Sequence, residues 1–253
     1  MFNIAFATFR ELTRNKVLYL ILLFWIALIA FSLSLSTLSL WETSKIVLDF
    51  GLAMIEIFGL ITVIFVWSQM LFREVDGRNI YLILSKPIAR YEFILWKFLG
   101  FSAILFVVIV FQSIIFFITL FLSNTPLTIW IVLSIFFIYL KLIILFSLIL
   151  FLSTFMSSIL LIIVTILLYF IAHSISLIID LAIKSGNTLL VYFTKFLQVV
   201  FPNFEALNIK NLVWTVKGFD ISFIAANTVY AILYLAVILF FTVLIFNKKQ
   251  FEN

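Results

Sequence analysis

The sequence predicts an all-α, polytopic membrane protein with six transmembrane helices. Hydrophobic residues make up 66% of the chain and charged residues only 11%, whereas a soluble chain carries roughly 25% charged residues. Residues 104–122 form one of several apolar runs that match the length of about 20 residues a helix needs to cross a bilayer. A transmembrane barrel is excluded because its strands would alternate apolar and polar residues.

The six predicted spans follow one another with short connections along most of the chain. They cover residues 17–36, 51–72, 98–122, 127–152, 156–179 and 223–246. The fourth and fifth spans are separated only by a stretch rich in Ser and Thr, which predicts a tight helical hairpin. One continuous helix of about 50 residues would exceed the thickness of any bilayer. Residues 1–253 are therefore predicted to form a single transmembrane domain.

The distribution of lysine and arginine predicts the orientation. With both termini in the cytoplasm, ten basic residues lie inside and five lie outside, and every arginine is inside. Residues 73–97 then form a cytoplasmic loop, and residues 180–222 lie on the outer face. The expected location is the inner (plasma) membrane, which the chain crosses several times.

Residues 1–16 predict an amphipathic helix in the membrane interface. Phe2, Phe6 and Phe9 share one helical face, and Arg10 and Arg14 lie opposite. A cytosolic extension of the first span is the alternative. The apolar run that follows is too long for a signal peptide, so we expect no cleavage.

The outer segment, residues 180–222, also contains apolar residues at helical spacing. They predict a short amphipathic or partly re-entrant helix that ends at the break Phe201-Pro202-Asn203. These residues are Leu189, Phe193, Phe196, Leu197 and Val200.

The composition excludes several kinds of chemistry. The chain has no cysteine, and neither a phosphate-binding G-x-x-x-x-G-K-[ST] loop nor an H-E-x-x-H motif occurs. We therefore expect no enzyme activity, no metal site and no cofactor in this chain. The net charge of +5 arises from residues that flank apolar spans, so nucleic acid is not an expected partner.

Three ionisable residues fall within or near predicted spans, where such residues are costly and often functional. Glu56 is interpreted as an interfacial carboxylate near the start of the second span. Lys141 is deeper, and snorkelling to the inner face is preferred over pairing with a carboxylate or lining a translocation path. His173 is interpreted as a polar residue between helices or facing a cavity, and not as a metal ligand.

The cytoplasmic loop combines charge with an apolar centre. Eight charged residues lie between Arg73 and Lys97, and the mostly apolar residues 80–84 separate two groups of them. An apolar piece at a water face needs a protein groove or the lipid interface. The loop therefore favours a docking element over a solvated turn.

Two stretches of this sequence resemble a known family. Residues 74–78 (EVDGR), 82–90 (LILSKPIAR) and 97–100 (KFLG) resemble the pattern between spans two and three of type-2 ABC transporter permeases (ABC-2). The resemblance is strongest to the branch with nitrous-oxide-reductase maturation and gliding-motility permeases. Residues 201–208 (FPNFEALN) resemble that branch's P-N-[FL]-x-x-[LF]-[ND] segment before the last span.

The resemblance implies the permease domain of an ABC exporter. Such a permease forms a homodimer or heterodimer in the lipid bilayer and binds a separate cytosolic ABC ATPase, which holds ATP and Mg²⁺. The implied ATPase-coupling residues are Glu74, Asp76, Gly77, Arg78, Lys86, Pro87 and Arg90. A non-transporting membrane anchor for an ATPase-driven assembly and an integral membrane enzyme are the alternative functions.

Overall fold

The computed structural model describes residues 43–66, 90–210 and 221–248, together with seven residues between Leu22 and Ser34. This part of the chain contains five helices that are long and apolar enough to cross a membrane, which marks the protein as membrane-embedded. The helices are α1 (Thr43–Ile61, continued by a π-helical turn Thr62–Val66), α2 (Arg90–Leu122), α3 (Ile129–Leu152), α4 (Ser158–Lys184), α5 (Thr188–Val200) and α6 (Ile221–Lys248).

Five of the six predicted spans are confirmed as helices, namely the second to the sixth. In the first predicted span, 17–36, the described residues are helical, and Trp25 and Ile29 are buried in the apolar core. The predicted interface helix, residues 1–16, lies outside the described residues, as do residues 67–72 at the end of the second predicted span and residues 73–89 of the predicted loop.

Two helices begin eight residues earlier than predicted. α1 starts at Thr43, eight residues before the predicted start, because the helix continues through the exposed Lys45 and Asp49 beyond the apolar run. α2 starts at Arg90, so residues 90–97 are helical and do not belong to the loop as predicted. Lys97 is buried there, with its ammonium group 5.1 Å from the ring centre of Phe93.

The centre of the bundle is α3. Its residues 141–150 are all buried, and it packs against α1, α2, α4 and α6. α1 approaches its neighbours closely through two glycines. Gly51 faces the Phe116 ring of α2 and Gly59 faces Leu142 of α3, and a Cβ atom at either glycine would collide with that side chain.

The predicted hairpin between α3 and α4 is confirmed. The Ser153 hydroxyl donates to the Leu150 carbonyl and the Thr154 hydroxyl donates to the Phe151 carbonyl, each at 2.7 Å. The last carbonyl groups of a helix lack partners within it. The small polar residues therefore end α3 without leaving these carbonyl groups unpaired.

A second hairpin joins α4 to α5. Gly186 adopts φ +66°, and the Asn187 side chain caps α5 by accepting from the Leu189 amide at 3.0 Å. α5 then packs back along α4. A helix thus lies where the sequence predicts one, and it ends at Val200, directly before the predicted break.

The chain after α5 continues inward along α4 without forming an α-helix. Asn203 contacts Ser176, and the Phe204 amide donates to the Ala172 carbonyl at 3.0 Å. At 1.5 Å per residue, these partners lie about 12 and 18 Å back from the end of α4. We call residues 201–210 the re-entrant segment.

Candidate functional site

Glu56 lies inside the bundle, with only 4% of its surface exposed. Within the candidate span Ser44–Ile64, about 18 Å of helix precede Glu56 and about 12 Å follow it. The prediction of an interfacial carboxylate is therefore wrong. The early start of α1 at Thr43 places two further helical turns ahead of this residue.

Lys141 forms an ion pair with Glu56. Its side chain is 1% exposed, and its ammonium group donates to Glu56 Oε1. Snorkelling to the inner face is therefore the wrong interpretation, and pairing with a carboxylate is the arrangement found. A lysine in the middle of α3 is covered on all sides, so a nearby counter-charge replaces contact with water.

Two residues of α4 also contact Glu56. The Tyr169 hydroxyl donates to Oε1 at 3.0 Å, and His173 Nε2 lies 3.4 Å from the same oxygen. His173 Nδ1 is 3.2 Å from the Tyr169 carbonyl oxygen, one turn earlier. The fully buried Phe204 packs against both rings at centroid distances of 6.0 and 5.5 Å. His173 of α4 thus lies between Phe204 and Glu56 of α1.

Lys210, the last residue of the re-entrant segment, binds the other side of the Glu56 carboxylate. Its ammonium group donates to Oε2, although the two residues are 154 positions apart. Lys210 belongs to the segment 180–222 that the sequence predicts on the outer face, and nothing in the sequence predicts its contact with Glu56. We call Glu56, Lys141, Tyr169, His173 and Lys210 the Glu56 cluster.

Asn203 fixes the start of the re-entrant segment. Its side-chain Oδ1 accepts from the Ser176 hydroxyl and from the Ala206 backbone amide, each at 3.1 Å. Its backbone amide donates to the Tyr230 hydroxyl at 2.9 Å. Pro202 is buried but has no N–H group that would need a partner. These bonds give a physical reason for the Pro-Asn pair in the sequence.

The charges of the Glu56 cluster compensate one another. Glu56 is flanked by two ammonium groups, and the Glu205 carboxylate also acts electrostatically on Lys141. Glu56 is therefore the counter-charge that both lysines contact, and Glu205, outside the cluster, adds a weaker attraction to Lys141. Burying an unpaired charge would cost several kcal/mol, so this mutual compensation is what lets ionisable groups remain inside an apolar bundle.

Among the described residues, the one predicted ATPase-coupling residue, Arg90, is not part of the Glu56 cluster. Arg90 is the first residue of α2, at the end of a helix, and is the one coupling residue within the described ranges. The others, Glu74, Asp76, Gly77, Arg78, Lys86 and Pro87, lie outside the described residues.

One sequence pattern, beyond those that predict the spans, marks the α4 side of the cluster. Polar residues recur at helical spacing in an otherwise apolar span, at Thr165, Tyr169, His173 and Ser176. Such a stripe in a transmembrane helix predicts a face turned towards protein and away from lipid. No comparable signal marks Lys210, because polar residues also surround it in the sequence.

The arrangement holds helices together and keeps charge inside the bundle. Within the described ranges, no group of three or more His, Cys, Asp or Glu residues could hold a metal ion. Comparison with known proteins found no matching family model and no match among curated proteins.

Proposed function

We propose that this chain is the membrane-spanning permease subunit of an ABC transporter of the type-2 family. It would couple ATP hydrolysis by a separate cytosolic ATPase to export of a substrate. The observation that carries the proposal is the charged sequence with an apolar centre, residues 73–97, which follows α1 and extends into the first turns of α2. The Phe201-Pro202-Asn203 segment before the last span supports it independently.

The form of α2 supports a coupling role for the loop. The helix begins at Arg90, within the loop sequence, and runs for 33 residues, or about 50 Å, without a break. It packs against α1, α3 and α6. A displacement of the loop by an ATPase would thus be carried into the bundle as a rigid-body tilt.

The proposed assembly contains two permeases and a cytosolic ABC ATPase that holds ATP and Mg²⁺. The permease itself breaks no bond, so all hydrolysis takes place on the partner. Both termini of the permease lie in the cytoplasm in this proposal, on the side of the plasma membrane where ATP is available.

The ATPase-docking proposal predicts the effect of a double substitution in the loop. Glu74→Ala with Arg78→Ala should reduce the co-purified Walker-A ATPase at least about tenfold, because charged residues at interface hot spots cost more than 1 kcal/mol each. The measurement is affinity purification of the detergent-solubilised chain with quantification of the ATPase. Lys184→Ala with Lys195→Ala is the matched control, because both lysines are exposed and lie in or next to the α4–α5 hairpin. An unchanged amount of ATPase in the loop variant would overturn the docking assignment.

A non-transporting membrane anchor is the second candidate function. The observation in its favour is that the charged residues of the Glu56 cluster bind one another. Reconstitution of the permease and its ATPase into vesicles separates the two functions. ATP-dependent movement of a substrate supports transport, and ATPase binding without movement supports the anchor.

A further inference from the structure

The re-entrant segment is a compact unit with its own internal hydrogen bonds. The Asn208 amide donates to the Glu205 carbonyl at 3.0 Å, and the Asn208 side chain donates to Glu205 Oε2 at 3.2 Å. The Ala206 amide is bound to Asn203 Oδ1. Since these bonds lie within the segment, they are kept if it moves as one body.

The two ends of the segment are held in different ways. At its start, Asn203 makes neutral hydrogen bonds to Ser176 of α4 and Tyr230 of α6. At its end, Lys210 is held by the charge of Glu56. Leu207 lies between these ends and is 1% exposed.

The two oxygens of Glu56 have different partners. Oε1 contacts Lys141, Tyr169 and His173, all of which belong to spanning helices. Among the described residues, Oε2 binds Lys210 alone. If Lys210 leaves, Glu56 still has the ammonium group of Lys141 as its counter-charge.

Lys210 can leave without becoming a buried, unpaired charge. Its side chain is 21% exposed, whereas that of Lys141 is 1% exposed. Release therefore starts from a side chain that already lies partly at the surface of the bundle. The ion pair with Lys141 fixes the structure, and the ion pair with Lys210 is the exchangeable one.

We propose that residues 201–210 form a gate in the bundle and that the Lys210–Glu56 ion pair is its latch. When the latch opens, the segment moves as a unit about its attachment at Asn203 and exposes the apolar surface beneath Leu207. The proposal goes beyond the ABC assignment, because it depends only on contacts within this chain.

The absence of cysteine from the sequence allows a direct test. Leu207→Cys introduces a single thiol that is buried when the gate is closed. Its rate of modification by a cationic methanethiosulfonate reagent, measured on purified protein in detergent, reports the population of the open gate. Leu161→Cys, at a fully buried position near the start of α4, reports general loosening of the bundle.

Lys210→Met in the Leu207→Cys chain should raise the modification rate by about tenfold or more, because it removes one partner of a largely buried ion pair. Lys210→Arg keeps the positive charge, so the modification rate should stay low. Lys210→Gln keeps a polar side chain without the charge, so its modification rate should lie between those of Lys210→Arg and Lys210→Met. Tyr169→Phe is the matched control. It removes a hydroxyl that donates to Glu56 from α4, and α4 is not part of the gate. Leu161→Cys, introduced as the single cysteine together with each of the same Lys210 and Tyr169 substitutions, should stay unreactive.

Two results would overturn the proposal. One is an unchanged rate at Leu207→Cys in both the Lys210→Met and the Lys210→Gln chains. The other is equal acceleration by Tyr169→Phe, or parallel acceleration at Leu161→Cys, because either would show that the whole cluster loosens. The test needs no ATPase, so its outcome is independent of the proposed transporter function.

Discussion

Glu56 connects parts of the chain that are far apart in sequence. Its two lysine partners lie 85 and 154 residues away, on α3 and at the end of the re-entrant segment. A carboxylate in an apolar helix cannot remain charged without such partners, because its desolvation would cost several kcal/mol. One side chain thereby fixes how α1, α3, α4 and the re-entrant segment come together.

The ion pair between Glu56 and Lys141 can be tested by a double-mutant cycle. Glu56→Gln should lower the free energy of unfolding by about 3–5 kcal/mol, because it leaves buried lysines without their shared counter-charge. Lys141→Met should cost less, since Glu56 keeps Lys210. The double variant should cost less than the sum, with a coupling of about 0.5–3 kcal/mol. Denaturant unfolding in detergent measures all four chains, and additive losses would contradict a direct interaction.

Helix α1 packs closely because glycines occupy its contacts. Gly51 and Gly59 allow its backbone to approach Phe116 and Leu142, both of which are at most 1% exposed. The two neighbours differ in stiffness, since a buried phenyl ring adjusts less easily than the end of a leucine side chain. The same added methyl group should therefore have unequal effects at the two positions.

Gly51→Ala should destabilise the bundle by about 1–3 kcal/mol, as overpacked cores do, and Gly59→Ala should cost less. The reason is that the new Cβ would meet the Phe116 ring in the first case and a terminal methyl group of Leu142 in the second. Thermal unfolding of both variants measures the difference. Phe116→Leu should partly rescue Gly51→Ala and should not rescue Gly59→Ala. Equal losses of stability in Gly51→Ala and Gly59→Ala would mean that the Phe116 ring can move away from Gly51 as easily as Leu142 moves away from Gly59.

The spans could be predicted because an apolar run long enough to cross a bilayer has few alternatives. Their ends were predicted less well where a helix continues through charged residues, as at Lys45 and Asp49 of α1. The sequence also showed Glu56 and Lys141 as ionisable residues in apolar surroundings. Their pairing could not be predicted, because it depends on how α1 and α3 are rotated towards each other. The partial burial of Lys210 beside Glu56 could not be predicted, because polar residues lie around it in the sequence, as they do around a solvated lysine.

At the scale of the whole molecule, α4 connects two turns at opposite ends of the bundle. It runs from Ser158 to Lys184, about 40 Å, which exceeds the apolar thickness of a bilayer. The hairpin before α4 and the hairpin after it must then lie on opposite faces of the membrane. Labelling the two hairpins from one side of the membrane can therefore measure the predicted orientation.

Two single-cysteine chains test the orientation. Ser185→Cys, exposed after α4, should react with a membrane-impermeant maleimide on intact cells. Ser157→Cys, exposed before α4, should react only after the membrane is permeabilised, because the distribution of lysine and arginine predicts that this face lies in the cytoplasm. The reverse pattern would show that the termini lie outside, and equal labelling of both on intact cells would contradict a spanning α4.

The hydrogen bonds of the re-entrant segment also constrain the order of biogenesis. The Asn203 amide and the Val200 carbonyl are bound by the hydroxyls of Tyr230 and Tyr234, which belong to the last helix. A ribosome makes these tyrosines 20 and 24 residues after Lys210, the last residue of the segment. Backbone groups that lack partners are costly within lipid, so the segment cannot settle beside α4 until α6 has been inserted. Packing of the segment is therefore a step that follows membrane insertion of α6.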